Sequence, residues 1–353
     1  MATVDPFDHL NMIVNKMRIL EDSIEEHVNE LLEKVLKPLA LMYRLDGEHN
    51  LSGERENFIR GCFKDIYWSL RVHSYLHHKN PADTENLLKV GEWGGLSPDD
   101  MKELTKEHSK HFIDPGSKLL EMFSHHMKSL AERGSKEHAR GVLEIAQFWF
   151  GQLGPGNIFL PDVLVVVEDE RLKKFFVGAS IAVSDFVKPI SLYNRITNLK
   201  ESFGNAVVHF LPLNNPDQDN WTFLYAFKSQ NSATRYDSLT SGLPCKNCRT
   251  MFKKDLNDKG GPTCLGTCAE YCAVNELLPN EQPTLDQSQN RPAEKLEENK
   301  SRSMAILTNY KSIMNKCKTA VASGDQNEIE RVYWEVVHVL HVFGLWPECN
   351  RYF

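Results

Sequence analysis

No stretch of this 353-residue chain reaches the 18 or so consecutive apolar residues that a membrane-spanning helix needs. Its strongest branched apolar run, Val163 to Val167, is about a third of that length. The first residues, MATVDPFDHL, lack the basic segment and apolar stretch of a secretory signal. Positive charge is also short. The formal net charge is -7, whereas a protein built around phosphate contacts carries a basic surplus. There is neither a glycine-rich phosphate loop nor a dinucleotide fingerprint, which argues against nucleotide hydrolysis and redox-cofactor chemistry. The expectation is a soluble protein of the cytoplasm or nucleus with no membrane partner.

Hydrophobic content of 41% and charged content of 25% are those of a globular chain with apolar mass for two domains. The pattern is mainly helical at first. Leu10, Ile13, Met17, Leu20, Ile24, Val28, Leu31 and Val35 recur at steps of three and four, giving one helical stripe until Pro38 disturbs it. Such a stripe suits a bundle helix, or a seam for a protein partner bound through the N-terminal helices. Further helices are expected from Glu54 to Leu76, from Gly116 to Ala131 and from Lys136 to Phe150. Another is expected after Ser97, whose Ser-Pro-Asp-Asp start suits a capped first turn. The histidines at 73, 77, 78, 108, 111, 125 and 126 lack an acidic third ligand at a telling spacing, and are read as solvated side chains.

Gly151 to Gly156 breaks the helical pattern, and the middle of the chain is β-rich. Val163 to Val167, Ala206 to Leu213 and Trp221 to Phe227 predict strands, the last two as a hairpin across the polar loop Asn214 to Asp217. Periodicity does not decide between helix and strand for Lys173 to Val187. Polar residues 280–300 read as a linker. Two closing helices follow, from Ser301 to Val321 and from Asp325, where Glu328 completes a capping-box pattern. The expected fold class is therefore α+β, mainly α: an N-terminal helical bundle, a small sheet with a cysteine-rich zinc site, and C-terminal helices. The corresponding division is a helical domain 1–151, an α/β domain 157–279, the linker 280–300 and a helical pair 301–353.

Chemistry concentrates in the cysteines. Five of the eight, Cys245, Cys248, Cys264, Cys268 and Cys272, fall between positions 245 and 272. In a reducing compartment these are thiols or metal ligands. Cys245 and Cys248 form a C-x-x-C pair that can bite one tetrahedral ion, and fifteen residues separate them from Cys264 and Cys268, close to a zinc-site spacing. Cys268 and Cys272 are expected to share a helix face. A soft thiolate set selects zinc over magnesium or calcium.

Thr267-Cys268-Ala269-Glu270 before an apolar helix resembles the ligand-x-Glu motif of the zinc-dependent cytidine and nucleic-acid deaminase superfamily. Leu243-Pro244-Cys245-Lys246-Asn247-Cys248 resembles that superfamily's Pro-Cys-x-x-Cys motif. The resemblance covers about 35 residues, and the two motifs stand in reversed order relative to the family. It implies hydrolytic deamination of a nucleobase, with a nucleobase, nucleoside or single-stranded nucleic acid as partner. It further implies zinc held by Cys245, Cys248 and Cys268, a water at the open position, and Glu270 as proton shuttle. Trp221, Phe223, Tyr225 and Phe227 are read either as walls of a base-sized pocket or as plain core.

If Cys264 or Cys272 is a fourth ligand, the water position closes and the site is structural. The alternative function is then a non-catalytic interaction or scaffold protein whose zinc is enclosed by thiolates alone. A thiol enzyme pairing a cluster cysteine with His209 is a third reading, but nothing in the sequence marks one thiol as activated.

Overall fold

The structure, a computed structural model, describes residues 5–43, 45, 53–77, 85–102, 114–184, 187–209, 212–213, 215, 217–227, 239–252, 267–278, 309 and 312–342. It is a mainly helical α+β fold with a small antiparallel sheet at its centre.

Helix α1 (Pro6–Leu31) opens with Asp5, whose carboxylate accepts from the Phe7 amide at 2.8 Å, and with proline in its first turn, both favourable at a helix start. Its stripe is buried within the chain: Leu10, Ile13, Met17, Ile24, Val28 and Leu31 are at most 7% exposed. The disturbance at Pro38 takes the form of a π-helical turn, Leu32–Leu36, after which α2 (Lys37–Met42) continues. Proline has no amide hydrogen for the helical ladder, and the wider turn absorbs the mismatch.

Helices α3 (Glu54–His77), α4 (Glu85–Trp93), α5 (Pro98–Lys102), α6 (Pro115–Met127) and α7 (Lys136–Phe150) follow. The start of α5 is a reciprocal box in which the Ser97 amide donates to Asp100 Oδ2 and the Asp100 amide donates to Ser97 Oγ, satisfying two amides at once. The expected solvated histidines divide. His73 is fully buried, His125 stacks on Phe58, and His126 meets Tyr43 and Arg55. The side chain of His77, and residues His78, His108 and His111, lie outside the described residues.

Strand β1 (Val163–Asp169) turns through Asp169, whose Oδ1 accepts from the Arg171 and Leu172 amides, into β2 (Lys174–Ala179). Of the segment left undecided by periodicity, Lys174 to Ala179 is thus strand. Helices α8 (Lys188–Thr197) and α9 (Glu201–His209) come next, then β3 (Trp221–Phe227) and the two-residue β4 (Thr240–Ser241). Sheet order is β2-β1-β3-β4, antiparallel throughout.

Of the strand expected from Ala206 to Leu213, residues 206–209 are instead the end of α9, 212–213 are irregular and 210–211 lie outside the described residues, and β3 pairs with β1 over seven residues. Phe203, Ala206 and Val207 sit at helical steps of three and four once the window begins at Glu201, and together they bury one helix face. His209 accordingly lies on a helix. Helix α10 (Lys246–Met251), α11 (Glu270–Leu277), α12 over 312–323 and α13 (Gln326–Val342) complete the described chain. Asp325 caps α13 by accepting from the Asn327 amide, while Glu328 turns to Arg331 rather than back to the cap.

The sheet stands between two apolar cores. Leu164, Val166, Ala179 and Ala226 face a core built from the second half of α1 through α7. Val165, Val167, Trp221, Phe223 and Tyr225 face the other, which joins the first half of α1 to α8, α9, α11 and the C-terminal helices. Alternation along a strand sends successive side chains to opposite faces, so one strand feeds both cores.

Candidate metal centre

The site lies on the second face. Strand β4 pairs Thr240 with Tyr225, and the Gly242 amide donates to the Phe223 carbonyl at 3.1 Å. This delivers the chain to Cys245, which caps α10, with Cys248 inside its first turn. From the other direction the Ile181 amide, just past β2, donates to the Thr267 carbonyl at 2.9 Å. That bond tethers the segment carrying Cys268 into α11.

Helix α11 can approach because β2 carries Gly178 there. A Cβ at that position would stand 2.1 Å from the Ala269 carbonyl oxygen, closer than real contacts allow. Across the sheet Gly178 pairs with Val165, and Val165 with Tyr225. This single row carries a gap that admits the helix and a hydroxyl that reaches its first residue. Beneath these two helices, α10 and α11, Phe203 stacks on Tyr271 with ring centres 5.5 Å apart, and Phe223 stacks on Phe252 at 5.6 Å. Such pairs fix helix placement by shape as well as by apolar area.

The sulfurs of Cys245, Cys248 and Cys268 all lie within 4.8 Å of one another, and Cys245 Sγ is 3.4 Å from Cys268 Sγ. Cys248 is buried and the other two residues are half-buried. Hydrogen bonds from the Cys248 and Cys268 thiols, with help from the Asn247 and Cys248 amides, bring the Cys245 thiol down to about 3. Burial pushes Cys248 well up, and the bond shared with Cys245 pushes Cys268 well up. A divalent cation bound there would displace the thiol protons. The group can hold a metal ion.

Glu270 is 3% exposed and opens α11. Its Oε1 accepts the Tyr225 hydroxyl at 3.0 Å, and its carboxylate also takes the Cys245 amide. Burial, followed by the charge on Cys245, raises its pKa to about 7. Burial, followed by the Glu270 charge, raises the Tyr225 hydroxyl far above its usual value, so it remains a donor.

Cys264 lies outside the described residues. Cys272 does not join the group. Cys268 comes two residues before the first residue of α11, so helical spacing does not place the two on one face, contrary to the expectation. Cys272 instead lines a cavity of about 300 Å³ with Ser117, His138, Phe176 and Asn275. Among the described residues the sulfur group therefore has three members. Trp221, Phe223 and Tyr225 are 3–5% exposed and part of the core, and the Phe227 side chain lies outside the description. Sequence reading missed Gly178 and the hydroxyl contact of Tyr225, because each depends on strand register rather than local pattern. No helix among the described residues is long and apolar enough to cross a membrane. Comparison with known proteins yields no family model, curated protein or solved structure that matches this chain.

Proposed function

We propose that this chain is a zinc-dependent hydrolase that removes an amino group from a nucleobase, presented as a nucleoside or within a single strand. The observation that carries the reading is the convergence of Cys245, Cys248 and Cys268 beside the buried carboxyl of Glu270. Three sulfurs fit a soft divalent ion, and they match the ligand positions implied by the deaminase resemblance. Zinc held there supplies the Lewis acidity that brings the pKa of a bound water toward neutrality.

The remaining work falls to the chain. Glu270 would take a proton from water and return it to the leaving amine. The Tyr225 hydroxyl and the Cys245 amide fix where that carboxyl points. The reversed order of the two motifs is compatible with this chemistry. Each ligand segment enters at the start of its own helix, so exchanging which helix comes first alters the connecting loops and leaves the meeting point in place.

Zinc-loaded protein is expected to release ammonia from cytidine, adenosine or single-stranded oligonucleotides. Glu270→Gln should lower that rate by about 10²–10⁴-fold while zinc content is unchanged. X-ray absorption showing an all-sulfur shell closed by a further cysteine, together with no ammonia from any of these substrates, would replace this reading by the structural zinc site of an interaction protein.

A further inference from the structure

Arg195, on α8, is 4% exposed and lies outside the sulfur group. Its Nη1 donates to the carbonyls of Thr267 and Cys268, each at 3.2 Å. Its Nη2 donates to the Ala179 carbonyl at 3.0 Å, to Ser117 Oγ at 2.6 Å and to Asp114 Oδ2 at 3.2 Å. Asp114 is 1% exposed. It caps α6 by accepting from the Ser117 amide at 2.9 Å. One planar guanidinium therefore joins α6, α8, the end of β2 and the segment that carries a sulfur ligand.

We propose that Arg195 is the positioning residue of the metal centre, holding the Cys268 segment in its ligating geometry before any ion arrives. This rests on the reading of the three sulfurs as metal ligands. A buried ion pair is a poor source of stability, because desolvation offsets most of its attraction and apolar side chains of equal volume do as well. What it offers is direction, since five donors in a rigid fork reach several acceptors at once. The Thr267 and Cys268 carbonyls come before α11 and have no place in its ladder. The guanidinium supplies their donors. With the Ile181 bond on the same carbonyl, the segment is held from two sides, and Glu270 follows two residues later. Asp114 balances the guanidinium charge, which makes its effect on the thiolates one of geometry. A ligand segment ordered in advance spares ion binding the entropy of ordering it.

The test uses cobalt(II) in place of zinc, with affinity and thiolate-to-cobalt charge-transfer absorption as readouts. Arg195→Met is expected to weaken cobalt binding about 10–100-fold, the cost of losing a partner that orients a ligand. Absorption per bound cobalt should fall, while the metal-free protein keeps its helical circular dichroism. Arg195→Lys should fall between Met and wild type. Equal affinity and equal absorption in wild type and Arg195→Met overturn the proposal. If Arg195→Met does not fold, Ser117→Ala decides, since it removes one acceptor and leaves the ion pair. An affinity several-fold weaker supports the proposal, and an unchanged one overturns it. Wild-type protein that binds no cobalt overturns the metal centre itself, and with it this role. Deamination enters none of these readouts, so failure of the proposed reaction is seen separately.

Discussion

The two faces of the central sheet are made from the same strands and do different work. On the side of α3, α6 and α7, Leu164, Val166 and Ala226 meet a core of closely set apolar and aromatic groups, among them Phe63, Trp68 and Phe150. On the other side the neighbouring residues Val165 and Tyr225 meet a core that also holds the thiols of Cys245, Cys248 and Cys268, with the Glu270 carboxyl bonded to the Tyr225 hydroxyl. The second face carries the three thiols and Glu270, buried polar groups that cost free energy unless each is hydrogen-bonded or bound to an ion. The lesson is that a two-residue alternation lets one short strand pack into an apolar core on one side and floor the sulfur group on the other.

This contrast can be broken experimentally, beginning with the largest effect. Phe63 is fully buried on the scaffold side and packs edge-on against Trp93. Phe63→Ala should cost about 3–5 kcal/mol through lost contact and a cavity, read as a lower urea midpoint. The protein that remains folded should bind cobalt as tightly as wild type. Weaker binding there would mean the two faces are not separable.

His73 links the sides. Its Nδ1 donates to the Ser69 carbonyl, and its Nε2 accepts the Ser184 amide at 3.2 Å. Burial lowers its pKa to about 4, against 6.5 for the free side chain. The fold therefore favours the neutral ring, and between these values the unfolded chain binds more protons. The contribution is complete above pH 6.5 and is lost as pH falls toward 4. It amounts to on the order of 3 kcal/mol. Wild type should lose stability between pH 6.5 and about 4 more steeply than His73→Gln in urea titrations, and parallel curves would remove the histidine from this role.

Gly178→Ala is the smaller perturbation in stability, about 1–3 kcal/mol for a contact that must be relieved. It is the sharper one for function. Its Cβ would press on the Ala269 carbonyl, next to Cys268, so cobalt affinity should fall more than Phe63→Ala lowers it. Equal affinity would show that α11 does not need its close seat on β2.

Local pattern carried the helices far. The stripe of α1, the span Lys136 to Phe150 and the capped start at Ser97 were all legible, because amphipathic spacing and caps are written within a few residues. The segment from Ala206 escapes such a reading for the same reason. A short apolar run does not reveal its period until Glu201 and Phe203 are included, and β3 found its partner in a strand about 60 residues away in the chain. At the site, Cys245, Cys248, Cys268 and Glu270 were legible as residue types at a telling spacing. The contacts of Arg195 were not. Asp114, Ser117, Ala179 and Thr267 are 16 to 81 residues from it, and nothing local marks a buried arginine.

By itself the sequence determined a mainly helical chain with one small β region and one dense set of thiols, since composition, period and spacing are properties of neighbouring residues. Only the tertiary structure decided that Cys272 turns away from the other sulfurs, that Tyr225 reaches Glu270, and that α11 rests on Gly178. Each of these is set by strand register and helix placement, which the chain acquires only when distant segments pack together.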